Sequence, residues 1–218
     1  MTKAEKRERM LRIERTLTEV YPNAECALKF GGDGWRLLVM GRLSAQCTDA
    51  RVNKVSETLF EKYKTPEDMA AADPVELEDV IRSCGLYKMK TRDIIGASRM
   101  LVDEFSGVIP NDIDTLCKLP GVGRKIANLL IGDLYHGPAI VCDTHFIRIM
   151  GRLGMYPEKE KNPEKIERIL RSLIDEAEGS DFCHRIVIFG RETCTARQPM
   201  CDGCPLSDLC ARREREKL

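Results

Sequence analysis

The sequence predicts an all-α fold, and three observations carry that prediction. Apolar residues recur at intervals of three and four in segment after segment, the period of a helix with one buried stripe. Three helix starts are nearly spelled out, because Thr65-Pro66, Asp73-Pro74 and Asn162-Pro163 each set a capping side chain before a proline at the first helical position. No stretch of useful length alternates apolar and polar residues and no tandem repeat stands out, so about ten helices account for the 218 residues.

In chain order, Lys3 to Val20 is dense in charge, with Met10, Leu11, Leu17 and Val20 along one stripe, a helix lying on something else. Asp33 can cap a second helix with Trp35, Leu38, Val39 and Leu43, which runs into Ser44-Ala-Gln46-Cys-Thr-Asp49. Asp49 can then cap Arg51 to Phe60, whose Val52, Val55, Leu59 and Phe60 mark the buried side. Asp68 and Glu76 stand at the third helical positions behind Thr65 and Asp73, where an acid favours the helix dipole.

Cys84-Gly85 ends the helix that Pro74 begins, and Gly107 ends a longer one holding Ile94, Leu101, Val102 and Phe105. Between them Gly85 to Lys90 reads as a loop with an exposed leucine. Past Gly137-Pro138, Ala139 to Cys142 is an extended connector, and Asp143-Thr-His145 opens a helix with Phe146, Ile149 and Met150. The Pro163 helix sets Ile166, Ile169, Leu170, Leu173, Ile174 and Ala177 on one stripe, and a further helix from Phe182 to Phe189 stops at Gly190.

The chain is organised around Leu119-Pro-Gly-Val-Gly-Arg-Lys125. A short helix, Asp112 to Lys118, precedes it, and Ile126, Leu129, Leu130 and Leu134 follow at helical spacing. Gly121 and Gly123 each permit a turn that a Cβ would resist, so the stretch is a tight hairpin that opens a helix. Unpaired N–H groups there, with the positive end of the helix dipole, can hold a phosphate without touching a base. Lys125 falls in the first turn, where the positive helix end and any burial disfavour an ammonium. It can therefore hold a larger share of free amine, the form that makes a Schiff base. A surface lysine fixing a phosphate beside a glycine turn is the plainer reading of the same residues.

Composition narrows the classes. No run approaches the 18 or so apolar residues that span a bilayer, and Met1 to Arg9 is charged with no apolar segment behind it, so an intracellular protein is expected. With 35 charges of each sign, any nucleic-acid surface must be a local basic patch. Ten cysteines in a chain of this size point to metal ligation before disulfides. Cys194, Cys201, Cys204 and Cys210, separated by six, two and five residues, can wrap one metal centre. On spacing, an iron–sulfur cluster, structural zinc and reduced thiols all stay open. Cys26, Cys47, Cys84, Cys117, Cys142 and Cys183 are scattered singly, the pattern of small buried hydrophobes. A metal that pinned the loop would make Arg197, with Arg191 just before it, a rigid phosphate-contacting arm.

Taken together, Leu43-Ser-Ala-Gln-Cys-Thr-Asp49, Gly85-Leu-Tyr-Lys, the hairpin, Val141-Cys-Asp143-Thr-His145 and the cysteine cluster resemble the endonuclease III family of DNA glycosylases. The resemblance runs from the N-terminal helix to Cys210, and five motifs in register are specific where each alone is weak. It implies a helix-hairpin-helix glycosylase fold. Residues 27–137 would form a six-helix barrel with the hairpin motif at about 112–134, and residues 1–26 and 138–218 a second domain built around a [4Fe-4S] cluster in the loop 194–210, with a cleft between the two.

It also implies roles. Lys125 attacks C1′ of the damaged nucleotide and Asp143 assists; Gln46 and Leu86 fill the gap left by a flipped nucleotide; Gly121, Val122, Gly123 and Arg197 contact the DNA; Cys194, Cys201, Cys204 and Cys210 hold the cluster. Without the family, Gln46 reads as a helix-end residue, Leu86 as a core leucine and Asp143 as a helix cap. Asp49 is a weaker candidate for the edge of the site. The partner implied is duplex DNA with a damaged pyrimidine or an abasic site, and the protein is expected to be a monomer. Cys47 and Cys142 depart from the family pattern in a way that suggests oxidation sensitivity, and Gln198 and Met200 make the cluster loop less basic, which predicts weaker non-specific affinity. Two alternatives stay open: a monofunctional mismatch glycosylase of the same superfamily, and a non-catalytic DNA-binding protein with structural zinc.

Overall fold

The structure is a computed structural model and describes residues 1–216. All of its regular elements among these residues are helical: α1 (Lys3–Val20), α2 (Gly34–Leu43), α3 (Asp49–Lys62), α4 (Pro66–Ala70), α5 (Pro74–Ile81), α6 (Tyr87–Phe105), α7 (Ile113–Leu116), α8 (Arg124–Tyr135), α9 (Thr144–Arg152), α10 (Pro163–Leu170), α11 (Gly179–Glu192) and α12 (Ala211–Glu216), with 3-10 turns at Arg82–Cys84 and Ser207–Leu209. The helix not read from the sequence is α12, whose six residues are too few to display a 3.6-residue period. No helix is long and apolar enough to cross a membrane.

The chain divides into two compact units, Cys26–Tyr135 and Met1–Glu25 with His136–Leu218. In the first, α6 packs against α2, α4 and α5, while α2 also meets α3 and α8. Trp35 lies edge-on to Phe60 at 5.4 Å, and its buried indole N–H donates to the Ser98 hydroxyl at 3.1 Å, so the ring is buried without stranding its one donor. In the second, α11 packs against α1 and α9, with Phe146 and Phe182 edge-on at 6.1 Å.

The starts follow their chemistry. Thr65, Asp73 and Asn162 are N-caps with proline behind them, and Thr65 forms a reciprocal capping box with Asp68. Each such cap is worth about 1 kcal/mol.

Several boundaries differ from the sequence reading. Thr48, not Asp49, caps α3, because its hydroxyl accepts from the Arg51 N–H and leaves Asp49 inside the first turn. On α1 the buried stripe is Met10, Ile13 and Leu17, while Leu11 and Val20 face solvent. The stretch read as a loop through Lys90 is already helical at Tyr87. Helix α10 stops at Leu170, yet Leu173 and Ile174 stay buried in the turns beyond it. Finally, α11 passes straight through Gly190, where a Cβ would lie 2.5 Å from His145 Nδ1 and 2.9 Å from Ile149 Cδ1. That glycine permits a close helix crossing rather than an end.

Candidate functional site

The hairpin is anchored from below. Leu119 and Val122 are buried, and the Val122 N–H donates to the Leu119 carbonyl at 3.0 Å to close the turn. Gly121 has φ +74°, and a Cβ there would sit 2.7 Å from both Arg42 Nε and Asp93 Cβ. Those atoms belong to a buried ion pair: Arg42 donates to Asp93 Oδ2 through Nε at 2.9 Å and Nη2 at 2.7 Å, and Arg92 donates to Oδ1 at 3.0 Å. Both charges are nearly sealed from water, so each depends on the other.

Gly123 does a different job from the one its spacing suggested. Its φ is not positive, and a Cβ there would meet nothing within 4 Å. What the missing side chain supplies is open ground in front of the first turn of α8. Lys125 is the second residue of that helix and is exposed.

Gln46 and Leu86 share an unusual backbone. Their φ values are +55° and +51°, in the left-handed region, where a residue with a Cβ loses roughly 1–2 kcal/mol. Both are exposed, Leu86 at 44%, which overturns its reading as a core leucine. An exposed leucine on strained backbone costs stability twice, a pattern that points to use rather than packing.

Asp143 caps α9, its carboxylate accepting from the Phe146 N–H at 2.7 Å, and it is half-buried. Two residues on, burial pushes the His145 imidazole below its usual range; the Asp143 carboxylate works against that, and Arg148 and Arg191 reinforce it.

Cys194, Cys201, Cys204 and Cys210 line one cavity, with Ile149, Leu153 and Phe189 among its apolar walls. Leu206 and Leu209 of the loop are buried, and arginines from the helices hold its backbone. Arg152 donates to Cys194 Sγ at 3.2 Å, to the Thr195 carbonyl at 2.7 Å and to the Ala196 carbonyl at 2.9 Å. Arg148 reaches the Cys194 carbonyl at 2.9 Å, and Arg9 reaches that of Leu209 at 3.0 Å. Arg197, by contrast, is exposed within the loop. Burial pushes the Cys204 thiol up, and the three other thiols add to this. Among the described residues no three of the four sulfurs lie within 4.8 Å of one another. A single tetrahedral zinc would draw thiolates to about 3.8 Å apart, as Zn–S bonds of about 2.3 Å require. A larger iron–sulfur cluster therefore fits this donor set better than zinc.

The sequence reading missed Arg42, Asp93, Lys90, Arg148 and Arg152. Charged residues inside helices look like solvated faces in one dimension, and nothing in their spacing marks them as buried or half-buried.

Comparison with known proteins agrees with this geometry. Residues 39–176 match the HhH-GPD superfamily base excision DNA repair protein family, and residues 194–210 match the iron-sulfur binding domain of endonuclease III. Endonuclease III of Bacillus subtilis is 43% identical over 199 residues, covering 91% of this chain and 89% of that protein. Endonuclease III of Escherichia coli strain K12 is 35% identical over 205 residues, covering 94% and 96%. A solved non-covalent endonuclease III–DNA complex superposes with a TM-score of 0.91 at 40% identity, covering 100% of this chain and 99% of its own. A thermostable thymine-DNA glycosylase at 21% identity, with a TM-score of 0.87 over 95% and 98% of the two chains, shares the fold. Similarity at this level along nearly its whole length means that the chain belongs to the endonuclease III family of the HhH-GPD superfamily, base excision repair enzymes that act as DNA glycosylase and AP lyase and carry a [4Fe-4S] cluster.

Proposed function

We propose that this enzyme removes oxidised pyrimidines from duplex DNA, with Lys125 as the nucleophile and Asp143 as the assisting carboxylate. The observation that carries the reading is Lys125 itself: an exposed amine on the first turn of α8, two residues beyond a glycine with open space in front of it. A duplex hides C1′, so the damaged nucleotide leaves the stack, at a cost of a few kcal/mol that damage lowers. Gln46 and Leu86 fill the gap, one polar and one apolar, from their strained turns. Gly121, Val122 and Gly123 hold a phosphate at the hairpin, and Arg197 reaches another.

The Lys125 nitrogen then bonds to C1′ as the bond from C1′ to the base breaks, and the departing base takes up a proton. Ring opening gives a Schiff base, which acidifies the 2′ hydrogen, and loss of that proton expels the 3′ phosphate. Asp143 stabilises positive charge at C1′ or takes the proton from the amine, and capping α9 through one oxygen leaves the other for that task. Cys194, Cys201, Cys204 and Cys210 hold the cluster, which when bound pins the loop carrying Arg197. Residues 27–137 act as the barrel domain, with the hairpin motif at 112–134; residues 1–26 and 138–218 act as the cluster-bearing domain, and the enzyme works as a monomer.

Borohydride should link the wild-type protein covalently to abasic duplex, whereas Lys125→Ala, folded by circular dichroism, should not link. Equal trapping by the variant would refute the assignment. Asp143→Asn should lose glycosylase turnover while keeping its hold on abasic DNA. Iron analysis should find about four irons per chain, and excision from an oxidised-pyrimidine panel should exceed that from mismatched adenine or thymine.

A further inference from the structure

Six cysteines lie outside the 194–210 loop, and two of them meet. Cys47 follows Gln46 in the turn between α2 and α3 and is half-buried; Cys84 closes the 3-10 turn before Gly85 and is 2% exposed. Their thiols interact side chain to side chain. Lys90, fully buried, explains why the two segments are held together: its ammonium donates to the Leu43 carbonyl at 2.7 Å and the Cys84 carbonyl at 2.9 Å. The same lysine lies in the field of both thiols. Thus one buried cation ties the end of α2 to the end of the 3-10 turn, and a dithiol spans the same junction.

We infer that Cys47 and Cys84 are a redox-active pair whose disulfide cross-links the two segments carrying Gln46 and Leu86 and weakens the enzyme's hold on damaged DNA. The effect on DNA rests on the proposed role of those two residues; the cross-link does not. The oxidant is a low-molecular-weight disulfide. Cys47, the sulfur solvent can reach, loses its proton and attacks one sulfur of that disulfide, forming a mixed disulfide and releasing one small thiolate. The Cys84 sulfur, losing its proton to solvent, then attacks the Cys47 sulfur and releases the second. One small disulfide is reduced to two thiols, and two protein thiols are oxidised to one bond.

Burial, with Cys47 beside it, pushes the Cys84 thiol up to about 11, while Lys90 and Arg51 pull the other way. Cys84 is thus the slower, resolving partner and Cys47 the entry point. Forming the bond brings the two sulfurs to covalent distance, and so shifts Gln46 relative to Leu86. Both must fit a gap one nucleotide wide.

The test treats the iron-loaded enzyme with oxidised glutathione. Non-reducing tryptic mapping should recover residues 43–51 linked to residues 83–88. Affinity for duplex with a stable tetrahydrofuran abasic analogue, read by fluorescence anisotropy, should fall about tenfold, given that displacements of about an ångström at positioned groups carry effects up to ~100-fold. Dithiothreitol should restore it, and Cys47→Ala should keep full affinity through the same treatment. Free thiols at both positions, or glutathione on Cys47 alone, would overturn the inference. So would a cross-link that leaves affinity unchanged while reduced Gln46→Ala and Leu86→Ala each bind weakly. If those two variants bind normally as well, the proposed role of the two turns fails with it.

Discussion

The glycine hairpin and the cysteine loop are both short connections, and the chain holds them in opposite ways. At the hairpin the backbone turns through Gly121 onto the Arg42–Asp93 pair, with Leu119 and Val122 buried on either side. The cysteine loop buries Leu206 and Leu209 and is otherwise held by its backbone. Between Cys194 and Cys210 its own structure is a few turns and the Ser207–Leu209 3-10 segment, and arginines on α1 and α9 grip its carbonyls. One loop is shaped by sterics that the folded unit supplies unaided. The other depends on donors reaching in from helices, with four thiols lining one cavity.

That contrast can be broken at the hairpin first, where the largest effect is expected. Asp93→Asn leaves the Arg42 guanidinium buried without its counter-charge, and urea unfolding should lose about 3 kcal/mol. An unchanged midpoint would mean that the pair does not support the hairpin. Gly121→Ala comes next: left-handed backbone and a 2.7 Å approach to the ion pair predict a loss of about 2 kcal/mol. Gly123→Ala should stay within about 0.5 kcal/mol of wild type while weakening DNA binding, since its Cβ would enter open space. Similar losses in the two alanine variants would erase the distinction drawn between the glycines.

On the other loop, Arg152→Gln removes the donors to Cys194 Sγ and to two carbonyls. At about 1–2 kcal/mol of local destabilisation, iron should leave to a chelator several-fold faster and protease should nick the loop sooner, with α9 and α11 still cooperative. Global unfolding instead would show that the loop shares the hairpin's kind of support.

A further prediction is a control in the unit that bears the cysteine loop. Burial pushes the Glu14 carboxyl up to about 7 from 4.5; a hydrogen bond from the Asp175 backbone opposes this, and the Asp175 and Glu178 carboxylates add to it. Between those two values the unfolded chain releases a proton that the folded chain retains, so stability falls as pH rises through the window. Glu14→Gln should therefore gain about 1 kcal/mol over wild type at pH 8 relative to pH 4.5, the partial exposure of the group being allowed for, with iron retention unchanged. A melting-temperature gap that is the same at both pH values would rule this out.

Much of this arrangement was legible before any coordinates. Proline with a capping residue marks a helix start through bonds made within four residues, so Thr65, Asp73 and Asn162 could be read directly. The four-cysteine spacing was legible because the ligands are close in the chain. The end of α11 was misread at Gly190, because a glycine that stops a helix and a glycine that lets α9 approach look alike in one dimension. Leu86 was read both as an exposed loop residue and as a core leucine, and the second reading failed for a related reason: hydrophobicity reports what a side chain would rather do, not what its backbone makes it do.

By itself the sequence determined the helical class, the hairpin, the position of Lys125 and the cysteine set, all properties of neighbours along the chain. Only the tertiary structure decided that Arg42 and Asp93 lie under the hairpin, that Arg152 grips the cysteine loop, and that Lys90 joins the segments next to Gln46 and Leu86. A charged residue is placed inside a protein by partners tens of positions away, and the free energy of that pairing appears only once the chain has brought them together.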